Sequence, residues 1–309
     1  MARSPAARSA ARTVLPYRLH CPRPPARPLP RRPPGTYNLL FAAVAETLAQ
    51  VARRRLGAQI GFTAILHTWT QLLLFHPHLH CIVPGGGLDP GHTRWIATRP
   101  AFFLPVRVLA QVFRGKLLAK LQQALDRGAI SRGLDRDPHD LLKRAAAQSW
   151  VVYAKPPFAG PESVLRYLGR YTHRVAISNR RIVRARGGTV AFRYRDRADG
   201  GREKTLELPV FEFLRRFLLH VLPRSFVRIR HAGLLANRTR REQISRCRTL
   251  LEAEPPPPPP TDATVCEKVL RLTGRDLRVC PACGEGPMAV VAELDPTGLD
   301  PLAPGIDSS

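Results

Sequence analysis

Negative charge is scarce in this chain. Against 49 Lys and Arg stand only 23 Asp and Glu, which sets the formal charge at +26 and the pI near 11.3. A surface so short of carboxylates fits a polyanionic partner, nucleic acid first among them, although an RNA-binding or ribosome-associated protein would carry the same balance. Cysteine is also sparse. Six residues spread over 309 positions exclude a disulfide framework. No run of about 18 uninterrupted apolar residues occurs, so no membrane span is expected. There is no secretory apolar stretch at the start, and the expected compartment is the cytoplasm. With 44% hydrophobic residues the chain still has enough apolar material for a substantial core, in one large domain or two modest ones.

Residues 1–36 have no acidic residue at all, but eight Arg and nine Pro. Proline removes backbone donors and like charges repel, so a disordered extension is expected over 1–36. Its prolines also break the amphipathic helix that an Arg-rich transit peptide would need. From Tyr37 the pattern changes. Leu39, Leu40, Ala43, Val44, Leu48 and Val51 recur at a helical period, and Gly57 stands where that helix should stop. A strand is expected over 59–70, loops at Gly85–Gly87 and Asp89–Gly91, and a short strand from Trp95. A long helix is expected from Pro105 to Arg127, with Val108, Val112, Leu117, Leu118, Leu121 and Leu125 near one side. Residues 130–140 read as a charged loop and 149–153 as a strand. Gly187-Gly188 between two alternating runs signals a hairpin, and Asp199-Gly-Gly201 a second turn with a return strand at Thr205–Leu208. A helix over Val210–Leu222, a strand over Phe226–Ile229 and a basic helix over Arg238–Leu251 complete a body of interspersed strands and helices. The class is therefore α+β with a mainly antiparallel sheet. Six consecutive prolines at 255–260 form a stiff linker. The expected organisation is an extension at 1–36, a main domain at 37–251, a linker at 252–264, a cysteine knuckle at 265–290 and a tail at 291–309.

Two stretches carry candidate chemistry. In Leu72–Val83, side chains alternate faces along a strand, so His78 and His80 point the same way and Leu79 and Cys81 the other. Two imidazoles side by side can hold a divalent metal or simply line a solvated strand. In Pro161–Arg174, Tyr167 and Tyr171 lie one helical turn apart, beside a stripe of Arg166, Arg170 and Arg174. The stripe suits phosphate oxygens, and Lys155 joins it as a candidate DNA contact. Alternatively, Val164, Tyr167, Leu168 and Tyr171 form a core-facing stripe.

Taken together, His78-Leu79-His80 resembles the His–hydrophobic–His (HUH) motif, and Tyr167-Leu-Gly-Arg-Tyr171 the paired-tyrosine motif of the same nucleases. The text around them, including His67–Gln71, His76–Gly87, Phe102–Arg107, Trp150–Pro157, Phe213–Pro223 and Val227–His231, resembles the IS91-type rolling-circle transposases. The likeness runs from about Tyr37 to Leu251, with a weaker echo at Cys280–Cys283. It implies an HUH-endonuclease-like antiparallel sheet flanked by helices. It also implies a Mg²⁺ or Mn²⁺ ion held by His78, His80 and a third ligand, and nicking and joining of single-stranded DNA at transposon ends and target through a 5′-phosphotyrosine. For the third ligand, Gln71 and His67 are the first candidates, with His173 and His76 behind them. Such transposases usually begin with a cysteine-rich zinc-binding domain. Residues 1–36 carry only Cys21, so on this reading the chain is a truncated copy. Cys280 and Cys283 are half of a four-ligand zinc site, which Cys266 and Cys247 could complete.

Overall fold

The computed structural model describes residues 34–99, 104–130, 137–154, 163–164, 167–168, 176–196, 198–253, 264–273, 276–280, 283–284 and 288, and the backbone of 14–20. The chain divides into two compact units, 1–256 and 257–309.

The first unit is built on a five-stranded antiparallel sheet of order β10–β2–β3–β1–β6. Its strands are β1 (Val14–His20), β2 (Gly61–Trp69), β3 (Phe75–Pro84), β6 (Val152–Ala154) and β10 (Ile229–Gly233). One face is covered by helices α1 (Pro34–Leu56) and α2 (Val106–Asp126). Leu40, Val44, Leu48 and Val51 of α1 and Leu109, Phe113 and Leu117 of α2 close over Phe62, Ala64, Leu66, Leu79, Cys81, Val83 and Val152. Period-3.6 stripes from the helices thus meet period-2 faces from the strands. Burial pushes the Cys81 thiol far up, which makes it a core residue and not a nucleophile.

α1 begins four residues earlier than the expected Asn38, with Pro34 in its first turn, where a missing N–H costs nothing. It ends at Leu56, with Gly57 N donating to Arg53 O at 3.2 Å. α2 forms where expected. Of the expected stripe Leu117 is buried and Val108, Val112, Leu118 and Leu121 pack against the core partly buried, while Leu109, Phe113 and Ala124 are buried beside them. The Phe113 ring is set edge-on to Trp150 at 5.4 Å. The loop expected at 130–140 gives way at Pro138 to a helix, α3 (Pro138–Ala147), whose start is capped by Asp137 accepting from His139 N at 3.0 Å.

The disordered extension expected over 1–36 is corrected at Val14–His20. This segment is β1, paired with β3 along its whole length and with β6 at Tyr17, Arg18 and Leu19. The average composition of the 36 residues hid a local run with strand propensity (Val, Leu, Tyr, Leu). Pro16 lies beyond the three residues that β6 pairs with. β10 is displaced from its expected place at Phe226–Ile229, because its register is set by pairing with Gly61–Ile65.

A second, three-stranded sheet comprises β7 (Ile182–Arg186), β8 (Thr189–Asp196) and β9 (Arg202–Pro209). Gly187 and Gly188 both have positive φ, 61° and 72°, as a two-residue turn between twisted strands requires. Helix α4 (Val210–Leu218) packs on it through Phe213, with Val190, Phe192 and Leu208 below and Leu73 from the β2–β3 turn beside them. α4 stops four residues before the expected Leu222. Helix α5 (Arg240–Leu250) ends the unit.

Gly86–Leu88 pairs with Trp95–Ala97 as β4 and β5, where the three glycines had predicted only a loop. Gly87 is required there. A Cβ at this position would run into the Gln59 carbonyl, while Gln59 and Leu88 exchange backbone bonds of 2.7 and 2.9 Å. Gly87→Ala is expected to cost roughly 2–4 kcal/mol of stability, measurable by urea unfolding; a loss below about 0.5 kcal/mol would contradict the close approach.

In the second unit, helix α6 (Val265–Thr273) starts with a capping box. Thr264 N donates to Glu267 Oε2 at 2.8 Å, and Glu267 N to Thr264 Oγ1 at 3.3 Å. Among the described residues no helix is long and apolar enough to cross a membrane.

Candidate metal and nucleophile site

The sheet face away from α1 and α2 carries the candidate chemistry. Antiparallel pairing puts His67 opposite His78, Ile65 opposite His80 and Thr63 opposite Ile82. Opposed residues share a face, so three imidazoles gather on it. They are 3%, 6% and 1% exposed for His67, His78 and His80. One ligand atom from each can be chosen so that all lie within 4.8 Å of one another. Trp69 stacks on His67 with ring centroids 4.7 Å apart.

The hydrogen bonds fix where the ring protons sit. His78 Nδ1 lies 2.7 Å from the His76 carbonyl, which can only accept. His78 therefore donates from Nδ1, and in the neutral ring its Nε2 accepts. His78 Nε2 lies 3.0 Å from His80 Nε2, so His80 donates there. Its Nδ1 then accepts from the Tyr167 hydroxyl at 2.6 Å. The chain Tyr167 → His80 → His78 → His76 carbonyl runs in one direction with every member neutral.

Tyr167 is 8% exposed. Its ring is seated on Ile65 and Ile82, with Val164, Leu168 and Ile229 around it. The ring of this tyrosine is packed, as the core-facing reading expected, and its hydroxyl is aimed at a histidine. Tyr171, Arg166, Arg170, Arg174, Lys155 and His173 lie outside the described residues.

Gln71 is not brought to the histidines. β2 ends at Trp69 with a register irregularity between His67 and Trp69, and Gln71 falls in the turn beyond it. There it is exposed, with Oε1 facing Arg195 N at 3.4 Å. His67, the other candidate, is the residue that stands with His78 and His80.

The β2–β3 turn is held by donors that sequence reasoning did not find. Arg181 donates to Gln71 O at 2.5 Å, Arg216 to Leu72 O at 3.1 Å, and His220 Nε2 to Leu73 O at 3.0 Å. His220 Nδ1 also receives Thr68 Oγ1 at 3.2 Å. Burial lowers the pKa of His220 to about 4, so its ring is neutral at pH 7. Leu73 sits at φ 57°, a conformation that a leucine adopts only when its surroundings enforce it.

The three imidazoles fit a divalent metal. They are buried, convergent and made of nitrogen donors, a set better suited to Mn²⁺ and its later neighbours than to Mg²⁺, which prefers oxygen. At the other end of the chain, Gly284 N donates to Cys280 O at 2.9 Å, closing a turn from Cys280 to Gly284. Among the described residues, Cys280 and Cys283 join no third Cys, His or carboxylate at ligand distance.

A family model described as "Putative transposase" (Y2_Tnp) matches residues 61–243, the span that holds the histidines, Tyr167 and the turn that joins β2 to β3. The chain belongs to this transposase family. It is 51% identical over 270 residues to "Putative transposase y4qJ" of Sinorhizobium fredii, covering 84% of this chain and 68% of that protein. It is 29% identical over 211 residues to the "Transposase for insertion sequence element IS801" of Pseudomonas savastanoi pv. phaseolicola, covering 65% of this chain and 49% of that protein. This family member thus spans about half the length of the second relative. The 84% shared with the first is more than residues 37–251 amount to, so the likeness extends past the segment on which the resemblance was read. No solved structure matches the chain.

Proposed function

We propose that this chain nicks and joins single-stranded DNA during rolling-circle transposition, working in the cytoplasm on transposon ends and target. The observation that carries the reading is the 2.6 Å bond from the Tyr167 hydroxyl to His80 within a buried histidine triad. The charge of +26 fits a nucleic-acid substrate, and both relatives are named as transposases.

In the proposed step the Tyr167 oxygen attacks the scissile phosphorus. A tyrosine–phosphate bond forms, the P–O3′ bond breaks, and the phenol proton ends on the departing 3′ oxygen. The product is a 5′-phosphotyrosine and a free 3′-OH. Bond for bond this is an exchange, so no ATP is needed. A free phenol ionises near pH 10, and its oxygen needs help to attack. A divalent cation held by His67, His78 and His80 would supply Lewis acidity to the phosphate. Were His80 to hold such a cation through Nε2, its ring proton would sit on Nδ1, where it would donate toward the Tyr167 oxygen. Tyr171, one turn further along, provides a second nucleophile for strand transfer. Arg166, Arg170, Arg174 and Lys155 are proposed to hold the phosphates.

The test is a covalent-adduct assay on a denaturing gel, with single-stranded DNA carrying the element's ends and Mn²⁺ or Mg²⁺. A DNA-linked band is expected in wild type, absent with EDTA and in the Tyr167→Phe/Tyr171→Phe double variant, with the two single variants unequal. DNA binding without any band would make the chain a DNA-binding remnant and overturn the reading.

A further inference from the structure

Among the described residues, the packing on the site face lies over one half of it. Tyr167, Val164 and Leu168 pack on Ile65, Ile82 and Ile229, which belong to β2, β3 and β10. The other half of the face belongs to β1 and β6. In β6, Val152 is buried in the core beneath α1 and α2, so by strand alternation its neighbour Tyr153 projects from the opposite face, the one that carries the histidines. Tyr153 is 50% exposed.

The register places this tyrosine relative to the chemistry. His80 is paired with Arg18 of β1, and Arg18 with Tyr153 of β6. His80 and Tyr153 thus occupy one row across the sheet, two strand spacings apart, or roughly 10 Å. A DNA strand whose phosphate lies at Tyr167 and His80 meets packed protein on the β10 side. On the β6 side it meets Tyr153, whose ring is 50% exposed. Aromatic rings at such positions stack nucleobases with little regard to sequence.

We propose that Tyr153 is a nucleobase-stacking position, holding a base of the single strand close to the scissile phosphate as it crosses β1 and β6. The inference rests on the single-strand reading of the site and adds the direction from which the substrate enters. Tyr153 is an aromatic residue half out of water on the histidine face and in register with His80.

The experiment measures binding of fluorescein-labelled oligothymidylate to the full chain without metal, so that no cleavage intervenes. Tyr153→Ala is expected to weaken binding about 10-fold or more, with Tyr153→Phe close to wild type, because stacking uses the ring and not the hydroxyl. The salt dependence of binding should be unchanged in Tyr153→Ala, since no phosphate contact is lost. An oligonucleotide with abasic positions should bind wild type as weakly as Tyr153→Ala, with no further loss when the two are combined. Affinity unchanged in a Tyr153→Ala protein of wild-type melting temperature overturns the inference, and leaves the phosphotyrosine reading standing if the adduct still forms. Tyr153-dependent binding with no adduct in wild type would sustain the inference and sink that reading. No binding of single strands at all overturns both.

Discussion

Replacing His80 by alanine is expected to eliminate the covalent protein–DNA product, a fall on the order of 10³-fold or more if a cation's several kcal/mol of charge stabilisation is lost together with the partner of the nucleophile. His80 stands between the proposed nucleophile and the second histidine. Its Nδ1 holds the Tyr167 hydroxyl at 2.6 Å and its Nε2 lies 3.0 Å from His78. Alanine removes both at once and leaves a hydroxyl nearly closed to water. His80→Asn separates the two roles. An asparagine oxygen stands close to where Nδ1 stood, so Tyr167 keeps its partner while the Nε2 ligand position is gone. That variant should retain near-wild-type melting behaviour, lose Mn²⁺ binding by calorimetry and form no adduct. Undiminished adduct formation in either variant would mean that these histidines are structural and that the nucleophile is activated elsewhere.

The second large effect is on stability. His220→Leu leaves the Leu73 carbonyl and the Thr68 hydroxyl facing a hydrocarbon in a buried place, and is expected to destabilise the first unit by roughly 2–4 kcal/mol. Wild type should also show an acid-side slope that arises from this ring. Burial lowers the folded pKa to about 4 from an ordinary value of 6.5, so between those limits the unfolded chain binds the extra proton. Stability is complete above about pH 6.5 and declines as pH falls toward 4, by on the order of 3 kcal/mol from this group. His220→Gln keeps a donor for Leu73 but cannot take up a proton. Urea unfolding across that window should be flatter in the glutamine variant by most of that amount; equal slopes would assign the acid sensitivity to other groups.

Much of this site can be read in the sequence. Alternation alone puts His78 and His80 on one face, and four-residue spacing marks Tyr167 and Tyr171. The hairpin around Gly187-Gly188 follows from turn chemistry. What escapes is non-local. The choice of His67 over Gln71 depends on where β2 ends, which is decided by a turn gripped by Arg181, Arg216 and His220, more than 100 positions away. His220 lies within a stretch that resembles the transposases, but its partners, Thr68 and Leu73, cannot be inferred from its neighbours. β1 was hidden for a different reason. Composition averaged over 36 residues outweighed seven whose pairing is set by a strand some 60 positions later.

The order of strands also sets when the site can exist. His67, His78 and His80 lie on one local hairpin, which closes in microseconds once made. Ile65 and Ile82, on which Tyr167 rests, lie on the same hairpin, but Ile229 beside them is on a strand that pairs with β2 only after more than 150 further residues have been synthesised. A nascent or prematurely ended chain therefore carries the three histidines before the packing around Tyr167 is complete. The physics of chain closure makes the assembled site a late product of translation, and a fragment ending before β10 should hold the histidines with the packing around Tyr167 incomplete.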